Sequence, residues 1–258
     1  MTITRRPRRP WLGPVALAAL LLGLAGGMVQ LEPVFHGLFP QLDRPMYRQA
    51  PFLALLRDHV ALVAASSLLS LSVAMALGIW VTRASGRAAR TLVDTLVAMG
   101  QTVPPVAVLA LAVPLIGFGA LPAFVALVAY GLLPMLKGVT SGLGSVPAAA
   151  VDAATGLGMS PRRILLAVEL PLAAPIILAG VRTSVTINIG TAAIAATVGT
   201  QNLGSPIIIG LSGFNTAYVL QGALLTGLLA ITVDRFFEWG QQSLSHQAGA
   251  LPADTSAA

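Results

Sequence analysis

Cysteine is absent from this 258-residue chain, so no disulfide framework and no thiolate metal site can form. Charge is nearly as scarce. Asp, Glu, Lys and Arg make up 9% of the residues, where a soluble globular domain carries roughly a quarter. Such a chain cannot clothe a folded surface in water. Lys137 is the only lysine, and it precedes Gly138, so no Gly-x-x-x-x-Gly-Lys-Ser/Thr loop is present to wrap the phosphates of a nucleotide. The histidines His36, His59 and His246 are too dispersed for a metal site, and the acidic residues form no paired constellation for acid–base chemistry.

What is abundant is apolar: 56% of residues are hydrophobic, and the mean hydropathy is +0.84. Residues 59–82, 95–136 and 183–233 contain no ionisable Asp, Glu, Lys or Arg, and each run matches or exceeds the ~20 residues that cross a hydrocarbon core. The pattern predicts an all-α fold of about six transmembrane helices, at 11–31, 60–82, 92–116, 121–136, 176–198 and 217–237. The division between the third and fourth falls at Gly117-Phe-Gly119-Ala-Leu-Pro122, a turn signal. Helices are required because backbone groups in lipid must find their partners internally. Residues 32–58 read as an external loop that can hold a short surface helix, and the Ala-, Ser- and Gln-rich tail 239–258 reads as flexible, with its end disordered.

The net charge of +6 does not point to nucleic acid, because the basic residues sit at the ends of apolar runs rather than along one face. They read as topology signals instead. With the N-terminus in the cytoplasm, Arg5, Arg6, Arg8, Arg9, Arg83, Arg87, Arg90, Lys137, Arg162, Arg163, Arg182 and Arg235 fall inside or at the inner boundary, and Arg44, Arg48 and Arg57 fall outside. Cytoplasmic loops retain Lys and Arg, so this twelve-to-three division supports both the span count and the orientation. The first apolar run is long for a cleaved signal peptide and is taken as a retained anchor. Trp11, Trp80 and Trp239 are then interfacial anchors on the inner side.

The segment 138–175 is neither a good span nor a simple turn. Its centre reads as two short helices: Ala148 to Thr155, stopped by Gly156 and Gly158, and a second with Ser160 at the N-cap and Pro161 at the first helical position, ending near Pro171. The pair carries exposed charge on Asp152, Arg162, Arg163 and Glu169 beside a small apolar ridge of Ala153, Ala154, Leu157, Ile164 and Leu165, a surface suited to a partner's groove. Physics alone leaves open the reading of an ordinary loop whose arginines enforce topology.

The same segment resembles the EAA motif of ATP-binding-cassette (ABC) importer permeases. Asp152-Ala153-Ala154, Gly158 and Val168-Glu169-Leu170-Pro171 fall at its spacing, with Asp in place of Glu. A wider likeness to the osmoprotectant branch of these permeases is carried by Gln101-Thr102-Val103-Pro104-Pro105, Pro114-Leu-Ile-Gly117-Phe-Gly119, Gly180-Val181-Arg182-Thr183-Ser184, Asn188-Ile-Gly190-Thr191 and Leu203-Gly204-Ser205-Pro206-Ile207. The resemblance implies a MetI-like type I permease of a bacterial cytoplasmic membrane, with both termini cytoplasmic, importing glycine betaine, choline, proline betaine or carnitine. It also implies two cytoplasmic ATPase subunits, which supply ATP and magnesium, a second permease identical or related, and a separate extracytoplasmic binding protein. Residues Asp152, Ala153, Ala154, Gly158, Ser160, Arg162, Arg163, Glu169 and Pro171 are then expected to couple to the ATPase.

Gln101, Thr102, Asn188, Thr191 and Asn202 are polar groups within or beside spans, and Pro104 interrupts one. Together they are the candidates for a substrate path, against the simpler reading that they hold helices together. Other solutes, such as an amino acid, and an ion-coupled carrier remain alternatives. An intramembrane protease is a weaker rival: Gly210-Leu211-Ser212-Gly213 resembles a rhomboid-like nucleophile motif, but the only later histidine, His246, lies in the tail.

Overall fold

Prolines and glycines divide an otherwise continuously apolar chain into helices. The computed structural model describes residues 11–248; Arg5, Arg6, Arg8 and Arg9 and the last ten residues lie outside the described residues. α1 (Leu12–Gly27) passes through a short 3-10 turn into α2 (Glu32–Leu38), and α3 (Phe52–Thr82) follows an irregular strap at 39–51. After Arg83 come α4 (Arg90–Thr102), α5 (Pro105–Ile116) and α6 (Ala120–Gly144). Two short helices, α7 (Ala148–Gly156) and α8 (Pro161–Ile164), lead into α9 (Leu170–Ala192), and α10 (Ser205–Ser212) precedes α11 (Thr216–Ala248).

Five helical stretches are long and apolar enough to cross a membrane: Leu12–Leu38, Phe52–Thr82, Ala120–Gly144, Pro161–Val198 and Thr216–Ser243. The stretches Arg87–Thr102 and Pro105–Ile116 are apolar enough to make a sixth only when counted together, and they meet at 91°. The cause is the Pro104-Pro105 pair. Each proline drives the residue before it out of the helical region, and Val103 (ψ 127°) and Pro104 (ψ 139°) are both extended.

Several boundaries differ from the sequence reading. The second crossing begins at Phe52 rather than at residue 60, because Pro51 is extended and ends the strap, while Arg57 and Asp58 pair with each other on the helix surface. The expected external loop is helical over Glu32–Leu38, and only 39–51 is irregular. That strap is pinned to α11: Gln221 donates from Nε2 to the Pro45 carbonyl at 2.6 Å and accepts from the Tyr47 amide at 3.1 Å. The ring of Tyr47 also lies edge-on to Tyr218 at 5.5 Å. At the C-terminus, residues expected as a flexible tail continue α11 as far as Ala248.

α6 lies at the centre of the bundle, against α3 on one side and α9 on the other. Without a hydrophobic drive between helices in lipid, close packing and hydrogen bonds across small residues must hold them. Gly138 and Gly180 face each other so closely that a Cβ on Gly180 would lie 2.6 Å from the Pro134 carbonyl oxygen and 2.8 Å from the Gly138 Cα. Further along the same seam, Ser184 donates to the Gly131 carbonyl and Asn188 to that of Leu127, and across the α3–α6 contact Ser70 donates to that of Val128. The strap 39–51, the 117–119 turn and residues 193–215 gather at one end of the bundle. The α3–α4 turn, α7 and α8 lie at the other.

Candidate functional site

The turn between α7 and α8 is built by a glycine. Gly158 has φ +74°, a left-handed conformation that side chains with a Cβ resist, and nothing else crowds it. Around it the helix end closes as a Schellman motif: the Met159 amide donates to the Ala154 carbonyl at 3.1 Å and the Gly158 amide to that of Thr155 at 2.9 Å. Pro161 then opens α8 without wasting an amide. Ser160 stands at the N-cap, but its hydroxyl makes no capping hydrogen bond; its carbonyl accepts from Ile164 instead.

α8 does not end near Pro171. Residues Leu165–Glu169 form a π-helical turn that runs into α9. A proline removes one helical hydrogen bond and its ring presses on the carbonyl four residues earlier, here that of Ala167, and a wider turn relieves both faults. Rotation of the helix face through this turn brings Glu169 inward. It is therefore not the exposed charge expected from sequence: it is buried, and both its oxygens accept from Arg83, from Nη1 at 2.9 Å and from Nη2 at 2.6 Å.

The expected apolar ridge divides in the same way. Ala154 and Ile164 are buried, Leu165 packs on Val139, Leu143 and Ala173, and Ala153 and Leu157 face away. Leu157 is 81% exposed, immediately before Gly158 and on the same outer surface as Asp152, Arg162 and Arg163. The elbow thus has an inner side that fastens it to the bundle and an outer side that combines apolar area with both signs of charge.

The candidates for a substrate path do not converge. Asn188 is buried between α9 and α6, and Asn202 is buried within its own turn, holding the Ala192 carbonyl and the Gly204 amide. Thr102 and Thr191 bond to carbonyls of their own helices, and Pro104 marks the exposed bend between α4 and α5. Gln101 alone among them borders a groove, of about 500 Å³, along the face of α6 and α9, with Lys137, Ser141 and Thr183 also on its wall. Its amide donates to the Tyr130 carbonyl at 2.6 Å.

Arg182, read from the sequence as a basic residue at the inner boundary, meets Asp234. They form a forked pair between α9 and α11, Nε to Oδ1 at 2.6 Å and Nη2 to Oδ2 at 2.7 Å, with Gln241 on the remaining nitrogen. Ser212, of the protease-like tetrapeptide, ends α10 beside the start of α11. The side chain of His246, the histidine considered with it, lies outside the described residues.

The match to known proteins agrees with this geometry. Residues 74–246 match the family described as "Binding-protein-dependent transport system inner membrane component". The chain is 38% identical to the osmoprotectant import permease protein OsmY of Salmonella typhimurium over 77% of its length and 84% of that protein's. It is 37% identical to the choline transport system permease protein OpuBB of Bacillus subtilis over 73% of this chain and 86% of the other. Its fold matches a chain of the inward-facing MetNI methionine ABC transporter with a TM-score of 0.66 at 19% identity, over 74% of this chain and 95% of that one. A multi-pass helical bundle, an elbow with one free face and a family match across two thirds of the sequence lead to one conclusion: the chain belongs to the family of inner-membrane components of binding-protein-dependent transport systems, as an ABC importer permease.

Proposed function

We propose that this permease imports a quaternary-ammonium osmoprotectant such as glycine betaine, and that the α7–α8 elbow is where it receives mechanical work from a separate ATPase. In this reading the elbow end faces the cytoplasm, as do both termini. Two ATPase subunits hold ATP and magnesium, a second permease identical or related completes the pore, and an extracytoplasmic binding protein delivers the solute to the end that carries the strap. The observation that carries the coupling role is Leu157, almost fully exposed beside Gly158 and flanked by Asp152, Arg162 and Arg163. An apolar side chain held out on a polar end of the molecule is supported when a partner covers it. The osmoprotectant class rests on what the relatives OsmY and OpuBB are named for.

Closure of an ATPase pair can shift the permease between states only through a contact that differs between them. A stiff elbow transmits such a difference; a floppy one would absorb it. The groove on α6 and α9, with Gln101 and Thr183 on its wall, is the face proposed to border the solute path, while Asn188 and Asn202 hold the helices that frame it.

The test is purification of the tagged chain, co-expressed with its ATPase, in mild detergent, together with uptake of labelled glycine betaine. Asp152→Lys should lower both the recovered ATPase and the uptake at least fivefold. Recovery of no ATPase with the unaltered chain, while ion-gradient-driven uptake persists, would favour a secondary carrier. Uptake of an amino acid in place of betaine would move the substrate class.

A further inference from the structure

Among the described residues, the only side-chain hydrogen bonds joining residues 145–169 to α3 are those between Arg83 and Glu169. Arg83 is the residue at which α3 ends, with φ −90° and ψ 159°, and its own amide still bonds back to Trp80. Glu169 sits at the end of the π turn that Pro171 enforces. The two are 86 residues apart in sequence and meet in a two-pronged pair, at 2.9 and 2.6 Å, with the carboxylate side chain only 11% exposed. Both prongs fix orientation as well as distance, which one ammonium could not do.

From this we infer that Arg83 and Glu169 form a strut that carries displacement of the elbow into α3, and that both are positioning residues for transport. The inference rests on the coupling role proposed above and adds to it the route by which motion leaves the elbow. Without the strut, the elbow would reach the bundle through the π turn and through apolar packing alone, with Ala154 and Ile164 buried and Leu165 on Val139, Leu143 and Ala173. A π turn has a slack hydrogen-bond pattern and bends readily. Movement of α7 would then flex that turn instead of tilting α3. Because α3 packs along α6, and α6 along α9, a rigid link at Arg83 places the load on the helices whose faces border the groove.

This assigns the closing Val-Glu-Leu-Pro of the segment a role distinct from its start. Asp152, Arg162 and Arg163 face outward to the partner, while the proline creates the π turn that lets the glutamate face inward to the bundle. Arg87 and Arg90 share the small cavity beside the strut, and neither bonds to Glu169. Among the described residues the carboxylate bonds to Arg83 alone, so the pair can be tested by exchanging its ends.

The experiment uses the full transporter, with ATPase and binding protein, in proteoliposomes, and reads ATP hydrolysed per solute imported. Arg83→Glu and Glu169→Arg should each retain the ATPase on purification yet raise that ratio about tenfold. The double exchange should bring it back to within about threefold of the unaltered transporter. If either single exchange prevents assembly, Arg83→Lys decides: one ammonium replacing the fork should keep assembly and raise the ratio about threefold. An unchanged ratio in the variants that assemble, or a double exchange no better than the worse single one, overturns the strut. Asp152→Lys is run in parallel. If it loses the ATPase while the strut variants stay tightly coupled, only the strut falls; if it too keeps the ATPase and normal coupling, the elbow itself is not the contact.

Discussion

Gly180→Ala adds one methyl to the α6–α9 crossing, and its cost can be worked from the gap available. The new Cβ would meet the Pro134 carbonyl oxygen at 2.6 Å and the Gly138 Cα at 2.8 Å, both backbone atoms that no side-chain rotation can move aside. Restoring an ordinary contact near 3.4 Å requires the helices to part by about 0.8 Å. A gap of that size forfeits about a quarter to a half of the dispersion energy of each facing atom pair along the seam. Overpacking of this kind costs about 1–3 kcal/mol, from which up to about 1 kcal/mol is recovered because alanine favours helix over glycine. With that recovery the net expectation runs from about neutral to a loss of about 2 kcal/mol, a fall of up to about 8 °C in Tm for a chain of this size, and Gly180→Ala stays about 1–3 kcal/mol below an alanine that meets no clash. Gly190, on the same helix, has nothing within 4 Å of its would-be Cβ and provides the control. There the same change should be neutral or stabilising by up to about 1 kcal/mol. Thermal unfolding of both variants in mild detergent, followed by helical circular dichroism, measures the difference. A Gly180→Ala protein as stable as the Gly190→Ala protein would refute the reasoning.

Gly158→Val should lower ATPase recovery and uptake at least fivefold while membrane insertion is retained, because a branched residue at φ +74° costs about 1–2 kcal/mol and unwinds the elbow. Gly158→Asn, which tolerates that conformation, should keep most of both, and equal behaviour of the two would exclude backbone strain as the cause. Asp234→Ala strands the Arg182 guanidinium, and with the two side chains 29% and 31% exposed the loss should be about 1–3 kcal/mol, less than for a fully buried pair; unfolding in detergent reads it. Gln221→Ala removes both hydrogen bonds to the strap and leaves the Tyr47 amide and Pro45 carbonyl unpaired. Hydrogen exchange at the Tyr47 amide should then speed roughly tenfold or more, at about 1.4 kcal/mol per decade, while amides in the middle of α6 keep their rates.

Local signals were legible in the sequence where one residue decides the backbone. Gly158 and Pro161 marked the elbow, and α7 and the start of α8 lie where they predict. Pro104 and Pro105 marked an interruption, though not its 91° angle, which depends on how α4 and α5 each pack on α6. The hydropathic runs located the long apolar helices but misplaced their ends, since helices such as α3 and α11 continue into charged sequence once their hydrogen bonds are established. Pro171 looked like a stop, but the helix runs through it behind a π turn at Leu165–Glu169, so the direction of Glu169 was read the wrong way. Pairings over long separations left no local trace: Arg83 with Glu169, Arg182 with Asp234 and Gly138 against Gly180 depend on the crossing of helices far apart in the chain. For the same reason Asn188 and Asn202, polar residues in apolar surroundings, gave no sign of whether they would face a path or a neighbouring helix.

Because the chain has no native cysteine, a single one can be placed at will, and a cross-link then reports contact at one chosen point. Asp152→Cys, on the outer side of the elbow, and Phe214→Cys, on the exposed turn at the opposite end of the bundle, are compared in membrane vesicles that contain the assembled transporter. With a short bifunctional reagent, the residue-152 variant should form an adduct with the ATPase subunit and the residue-214 variant should not. An ATPase adduct from position 214, or none from position 152 in vesicles that still transport, would contradict the claim that work enters through the elbow.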